Sequence, residues 1–348
     1  MPGKHLIFYS IILFDIKSTN IDNFYTTDIF KMRHKIRYNV GAIYDRWINM
    51  TDNLYKIERK ILYKELEPLF AALSSVRYAV VKGEVLSQQI YGVPDRRRSS
   101  DIDILIDKKN VKFLEEQLHK LGFEQKLPED NAEIRRNRVL CMAYSHQIPS
   151  YHKDKFGFHL NVDVNYDIFW GEYEGKRCSI DEFLSDTVEM EIYGVTVKAL
   201  SIEKAFVQLI LHHYKEMNSI YHLSQHNTIR TDMFRDVYDM LRNCNPMLTL
   251  DHVKQLCRVY LIGNYIHYML YYTRQIFLDD MLLEYVNNLN LYQDDQLLTS
   301  YGLCVKERKR WTISFKERLD TENVIGMISS DISETDQIKI EIEKRIFG

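Results

Sequence analysis

The rhythm of apolar and polar positions changes twice along the chain. Up to about residue 75 it is helical. In "WINMTDNLYKIERKILYKELEPLFAAL", Leu54, Ile57, Ile61, Leu62, Leu66, Phe70 and Leu73 recur at helical spacing and form a stripe. From about 76 to 200 the rhythm is mixed. "RYAVVKG" is a short β-rich run ended by glycine, and "EVLSQQIYG" is a short helix with a glycine stop. "SDIDILID" predicts a strand. "KNVKFLEEQLHKLGF" predicts an amphipathic helix with Val111, Leu114, Leu118 and Leu121 on one side, Asp107 or Asn110 as cap and Gly122 as terminator. "FHLNVDVNYDIF" alternates as a strand does, and "VEMEIYGVTVKAL" predicts a hairpin turning near Tyr193–Gly194. From 201 onward the pattern is helical throughout. Ser201 is placed to cap "IEKAFVQLILHHYKEM", "TDMFRDVYDMLRN" is a second helix, and the aromatic run Tyr260–Leu278 a third. The polar tail "SSDISETDQIKIEIEKRIFG" is expected to fray.

This pattern predicts an α+β protein in three parts. Residues 1–75 form a mostly helical segment, 76–200 a small mixed-sheet core, and 201–348 a C-terminal helical domain. The run Leu6–Phe14 is too short to span a bilayer, where about 20 apolar residues are needed. No small-residue cleavage site follows it, so a buried strand or helix is expected rather than a signal peptide. Asn264, His267 and Arg274 in the aromatic run are each costly in lipid, which favours a buried helix there.

Composition adds little beyond this. Apolar residues make up 45% and charged residues 27%, ordinary for a globular protein, and the formal net charge is -3. That excludes the simplest non-specific nucleic-acid binder, which carries a strong basic excess. No extended nucleic-acid surface is evident. The five cysteines are scattered with no C-x-x-C pair, which fits free thiols in a reducing compartment such as the cytoplasm.

The candidate chemistry lies in "VVKGEVLSQQIYGVPDRRRSSDIDILID" (Val80–Asp107). In a strand, Asp101 and Asp103 point to one face and Ile102 and Ile104 to the other. Two carboxylates this close repel unless a cation lies between them. A hard divalent ion such as Mg²⁺ resolves the conflict, and a third carboxylate from a neighbouring strand would complete a two-metal site. Upstream, strand–glycine–helix lets backbone N–H groups approach phosphates, and Lys82 and Arg97 add positive charge nearby.

A strand ending in "KG", a short helix, an arginine and then "DIDILI" resembles the DNA polymerase beta nucleotidyltransferase superfamily. Within it, the stretch looks most like bacterial nucleotidyltransferases with an "LKG…R…DIDLLV" signature, and it is similar to abortive-infection type toxin nucleotidyltransferases. The resemblance covers roughly residues 76 to 240, including the helix and "LGF" at Leu114–Phe123. It implies a Mg²⁺-dependent transfer of an NMP from an NTP, such as ATP, to a hydroxyl of an acceptor, with pyrophosphate released. The acceptor classes left open are a small molecule, a peptide or protein, and an RNA end.

The resemblance assigns metal binding and catalysis to Asp101, Asp103 and a third carboxylate on "NVDVNYDIFW". Asp163 matches the motif there, with Asp167 as the rival. It assigns nucleotide binding to Lys82, Gly83 and Arg97. Asn165 stands where the family often has histidine, and Glu84 where it usually has a small residue. Glu84 either repels the triphosphate or occupies the first turn of the helix. The first case would give a non-catalytic nucleotide- or partner-binding protein; a helical interaction protein with an incidental Asp-x-Asp is a third reading. In "LHHYKE", the adjacent His212 and His213 point about 100° apart, so they do not form an i,i+4 metal pair, and one is expected to pack and the other to face solvent. Lys215, Arg235, Asp236 and Asp239 are possible cleft-lining residues, the last three from the "(R/K)D-x-Y-D" helix of the resembling families.

Overall fold

Two short strands with apolar residues on both faces organise the protein. β1 (Tyr78–Val81) and β2 (Ile102–Ile106) pair antiparallel, with Val81 opposite Asp103. Every residue of both strands is buried, so each reads in sequence as a nearly continuous apolar run. In the computed structural model, residues 52–125, 146–169 and 178–347 are described. Backbone contacts divide the chain into residues 1–57 and residues 58–348. The predicted element at Leu6–Phe14 lies outside the described residues, as does Cys141.

The sheet has seven strands. β3 (Glu124–Gln125), β4 (Tyr151–Lys155) and β5 (Phe158–Asn165) lie beyond β2; β7 (Val195–Ala199) and β6 (Val188–Ile192) lie beyond β1. β5 runs parallel to β2 and β7 parallel to β1, while the remaining pairs are antiparallel, so the sheet is mixed. The β6–β7 hairpin turns at Tyr193–Gly194, as its pattern predicts.

Side-chain alternation then sorts two cores. Tyr78, Val80, Ile102, Ile104, Ile106, Val162 and Val164 pack with Leu62 and Leu66 of a helix over residues 52–72 (α1) and with Leu114 and Leu118 of α3 (Val111–Lys120). Between these two helices in sequence, α2 (Gly83–Tyr91) follows β1. On the opposite face, Ala79, Val81 and Leu105 join a larger core built from the C-terminal helices, including Phe206 and Ile210. Those helices are α4 (Ile202–Asn218), α5 (Ile220–Leu223), α6 (Thr231–Asn243), α7 (Leu250–Tyr260) and α8 (Gly263–Ile276), with several short helices and α9 (Glu334–Phe347) after them. The architecture is α+β, as the pattern predicts.

Two expectations need correction. The aromatic run is not one helix from Tyr260. α7 ends there, Leu261 takes a left-handed conformation (φ 53°), and α8 begins at Gly263. The tail is not frayed, because residues 334–347 are helical and tied down by Lys309–Asp336 and Lys339–Glu307 ion pairs. No helix among the described residues is long and apolar enough to cross a membrane. Cys178, Cys244, Cys257 and Cys304 are free thiols.

Candidate active site

Parallel pairing of β2 with β5 places Asp103 directly opposite Asp163. The flanking valines 162 and 164 enter the core on the far face, so both carboxylates point toward the C-terminal helices. Asp101 is not in the strand as expected. β2 begins at Ile102, and Asp101 sits at its lip. All three carboxylates still line one polar cleft of 360 Å³. Asp167, the rival third carboxylate, falls beyond the end of β5 and outside this cleft. Its Oδ1 accepts the backbone N–H groups of Ile168 and Phe169 at 2.8 and 3.0 Å.

The charge balance of the trio is unfavourable as it stands. Lys82 Nζ is 2.7 Å from Asp103 Oδ1, and Asn165 Nδ2 donates to the same oxygen at 3.1 Å. Ser99 Oγ donates to Asp101 Oδ1 at 2.9 Å. These contacts do not offset burial and mutual repulsion. Burial, then the Asp101 and Asp103 charges, push the Asp163 carboxyl up to about 7. Burial raises Asp103 despite the Lys82 ammonium beside it. Three converging hard oxygen donors short of positive charge fit a divalent cation such as Mg²⁺.

Glu84 turns away from this cleft. It occupies the first turn of α2, and its carboxylate is buried against Arg59 of α1, with Nε–Oε1 at 2.5 Å and Nη2–Oε2 at 2.9 Å. The same guanidinium donates to the backbone oxygen of Asp101 at 2.6 Å, so the Glu84–Arg59 pair braces the lip from behind. Gly83 does not line the cleft. A side chain there would meet Ser99 Cβ at 3.3 Å, so glycine lets the Ser99–Asp101 loop lie close over the start of α2. Lys82, just before that helix, holds a positive φ of 58° while its ammonium reaches Asp103. Ser87 fixes the arginine loop: its Oγ accepts from the backbone N–H groups of Arg96 and Arg97 and donates to the carbonyl of Val93.

The opposite wall comes from the helices. Arg97 lines the cleft, and its Nε donates to Asp236 Oδ2 on α6 at 2.7 Å. Lys215 lines it from α4; burial, then the Lys82 charge, lowers its ammonium to about 8. Asp239 and Arg235 lie elsewhere. Asp239 accepts from the Tyr91 hydroxyl at 2.7 Å, and Arg235 sits over the Phe277 ring beside a neighbouring 210 Å³ pocket. Of the two histidines of "LHHYKE", His213 packs in the interior as expected, while His212 lines the cleft rather than the outer surface. His212 Nε2 lies 3.3 Å from Glu216 Oε1, and His213 Nδ1 lies 3.4 Å from Glu216 Oε2. The i,i+4 spacing of His212 and Glu216 was readable in the sequence. His222, Gln225 and Arg230, which also line the cleft, gave no local signal.

A model of the family described as "uncharacterised nucleotidyltransferase" matches residues 50–278, more than half of the chain. The chain belongs to this nucleotidyltransferase family. The match runs from α1 through α8 and includes every residue of the cleft. The protein is therefore a transferase of nucleotidyl groups, and its family implies a nucleoside triphosphate substrate. No curated protein matches the chain. Among solved structures, the nucleotidyltransferase is similar to an antigenic nucleotidyltransferase-like protein from Paracoccidioides brasiliensis. They share 22% identity over 52% of this chain and 75% of that one, with a TM-score of 0.33. It is also similar to the antibiotic-resistance factor ANT(2'')-Ia, at 12% identity over 58% and 90% of the two chains, TM-score 0.32. A third similarity is to the Megavirus polyadenylate synthase, at 12% identity over 66% of this chain and 40% of that one, TM-score 0.33.

Proposed function

We propose that the protein is a Mg²⁺-dependent nucleotidyltransferase that transfers an NMP from an NTP to a hydroxyl of an acceptor and releases pyrophosphate. The observation that carries this reading is the in-register pairing of Asp103 with Asp163 beside Asp101, in a cleft otherwise rich in cationic side chains. Asp101, Asp103 and Asp163 would hold the divalent ions. When bound, such ions stabilise charge on the phosphate and acidify the attacking hydroxyl.

The chain's own residues do the rest. Lys82 and Arg97 hold the triphosphate from two sides, and Lys215 and Arg230 offer further charge from the helical wall. Gly83 acts by letting the Ser99–Asp101 loop close over α2. Asp163 stands on the attacking side and accepts the hydroxyl proton on a carboxylate oxygen. Asp236 orients Arg97 through their ion pair. A non-catalytic nucleotide binder drew its support from an inward-facing Glu84, and the Arg59 pair removes that support.

The test uses NTPs labelled at the α- or the γ-phosphate, Mg²⁺ and pools of small molecules, proteins and RNA. The α-label moves onto one acceptor class while the γ-label leaves as pyrophosphate, and Asp103→Asn abolishes both. Label transfer that is unchanged in Asp103→Asn contradicts the reading.

A further inference from the structure

A second group of ligating side chains lies on α4, apart from the three carboxylates. We infer that His212 Nε2, His213 Nδ1 and the Glu216 carboxylate form a binding site for a transition-metal ion of the Zn²⁺ class, with one coordination position open to the cleft.

Four observations support the site. The three ligating atoms all lie within 4.8 Å of one another. The imidazole-to-carboxylate separations are 3.3 and 3.4 Å. Tetrahedral coordination with metal–nitrogen bonds of about 2.0–2.1 Å sets neighbouring ligand atoms roughly 3.4 Å apart, a spacing that each imidazole already keeps to its own Glu216 oxygen. The second observation is burial: the side chains of His212, His213 and Glu216 are 13%, 2% and 21% exposed, which makes the group an enclosed cluster rather than a surface patch. The third is the far side of His213. Its Nε2 is buried with no hydrogen-bond partner among the described residues, and Asp236 Oδ2 lies 3.7 Å away. A ligating histidine typically turns its other nitrogen to a carboxylate, which fixes the tautomer and strengthens the donor. Asp236 is itself anchored by Arg97. The fourth is donor type. Two imidazoles and one carboxylate suit Zn²⁺, Co²⁺ or Ni²⁺, whereas the all-carboxylate cluster across the cleft suits Mg²⁺.

His212 and Glu216 line the cleft, so the open position faces it and takes water or an anionic oxygen of a bound substrate. The adjacent histidines reach one ion because Glu216 lies one helical turn beyond both, at i,i+4 and i,i+3.

The full-length protein, stripped with a chelator, is titrated with Co²⁺, and the visible ligand-field absorption of the bound ion is followed. The expected result is a saturable low-coordinate Co²⁺ spectrum that Zn²⁺ displaces and Mg²⁺ does not. His212→Ala and Glu216→Ala lose it. The Asp103→Asn, Asp163→Asn double variant keeps it, which separates this site from the carboxylate cluster. Asp236→Asn keeps the spectrum but weakens Co²⁺ affinity roughly 10–100-fold, as loss of an outer-shell partner does. Far-UV circular dichroism checks each fold; if Glu216→Ala unfolds, His212→Ala decides the matter. A wild-type spectrum no different from free Co²⁺ overturns the proposal: the cluster is then only a hydrogen-bonded trio. A spectrum that survives His212→Ala, or that disappears in the folded carboxylate double variant, overturns it equally. Neither result bears on nucleotidyl transfer, which Asp103→Asn tests separately.

Discussion

At the scale of single residues, charges that look misplaced in the sequence are resolved by partners far away in the chain. Glu84 follows Gly83, at a position where the resembling families carry a small residue and an acidic side chain looks out of keeping. Its partner Arg59 lies 25 residues upstream, buried on the same face of α1 as Leu62 and Leu66. The apolar stripe of α1 was legible and the pairing was not, because pairing depends on how α1 lies against α2. Removing one member of a buried ion pair leaves the other uncompensated. Arg59→Ala is therefore expected to cost about 3–5 kcal/mol, read as a shift in the urea unfolding midpoint. The Arg59→Leu, Glu84→Leu double variant is expected to recover much of that loss.

The Arg97–Asp236–His213–Glu216 chain makes a pH-dependent contribution of definite sign. Burial alone would raise Asp236, but the His213 imidazole and the Arg97 guanidinium overcome it and hold the carboxyl below its usual range. Burial likewise opposes ionisation of Glu216, and His212 and His213 hold it well below. Burial opposes the His213 imidazolium too, yet Asp236 and Glu216 raise it. The lowered carboxylates stabilise the fold above their unfolded values, and this is lost as pH falls through their folded pKa values. The raised histidine stabilises below its unfolded value, and this is lost as pH rises through its folded pKa. Both contributions are full between roughly pH 4.5 and 6.5. Asp236→Asn is expected to lower the urea midpoint most in that window, with the gap narrowing on either side. A gap independent of pH contradicts the assignment.

At the scale of elements, β1, α2, β2 and the β6–β7 hairpin were legible because period and punctuation coincide in them. The helix boundaries that failed depend on tertiary contact. The aromatic run gave no reason to break at Leu261, yet an added Cβ on Gly263 would meet the Tyr292 ring at 2.4 Å. Gly263→Ala is expected to destabilise by about 1–3 kcal/mol, the usual penalty of overpacking, measured by thermal unfolding. The alternating run Phe158–Phe169 overshoots strand β5, which ends at Asn165, by four residues. That placed Asp167 on the Asp163 face, whereas the chain bends after Asn165 and Asp167 turns to its own backbone. At the start of α2, Gly83 combines a φ of +44° with the close approach of Ser99. Gly83→Ala is expected to cost about 1–2 kcal/mol for the left-handed backbone alone. By displacing Ser99, which holds Asp101, it is also expected to lower transfer rate more than NTP affinity, measured as kcat against KM.

At the scale of the whole molecule, the sheet supplies the carboxylates and the C-terminal helices supply the facing wall. The sheet side was readable, since Asp101, Asp103 and Asp163 lie on strands or strand edges with valine and isoleucine alternation. The helical wall was readable at Lys215 and in the His212–Glu216 spacing, whereas Asp236 lines the neighbouring pocket and reaches the cleft only through Arg97. His222, Gln225 and Arg230 are isolated polar residues after α4, and nothing local marks them as facing carboxylates that lie more than 50 residues earlier in the chain. The division of labour makes the central claim direct to test. Pyrophosphate release from NTP is measured with an acceptor pool, with and without Mg²⁺, for wild type and for Asp101→Asn, Asp103→Asn and Asp163→Asn. The account predicts Mg²⁺-dependent release by wild type and loss of release in each variant, with the fold retained. Release that persists without any divalent ion, or in Asp103→Asn and Asp163→Asn alike, would contradict it.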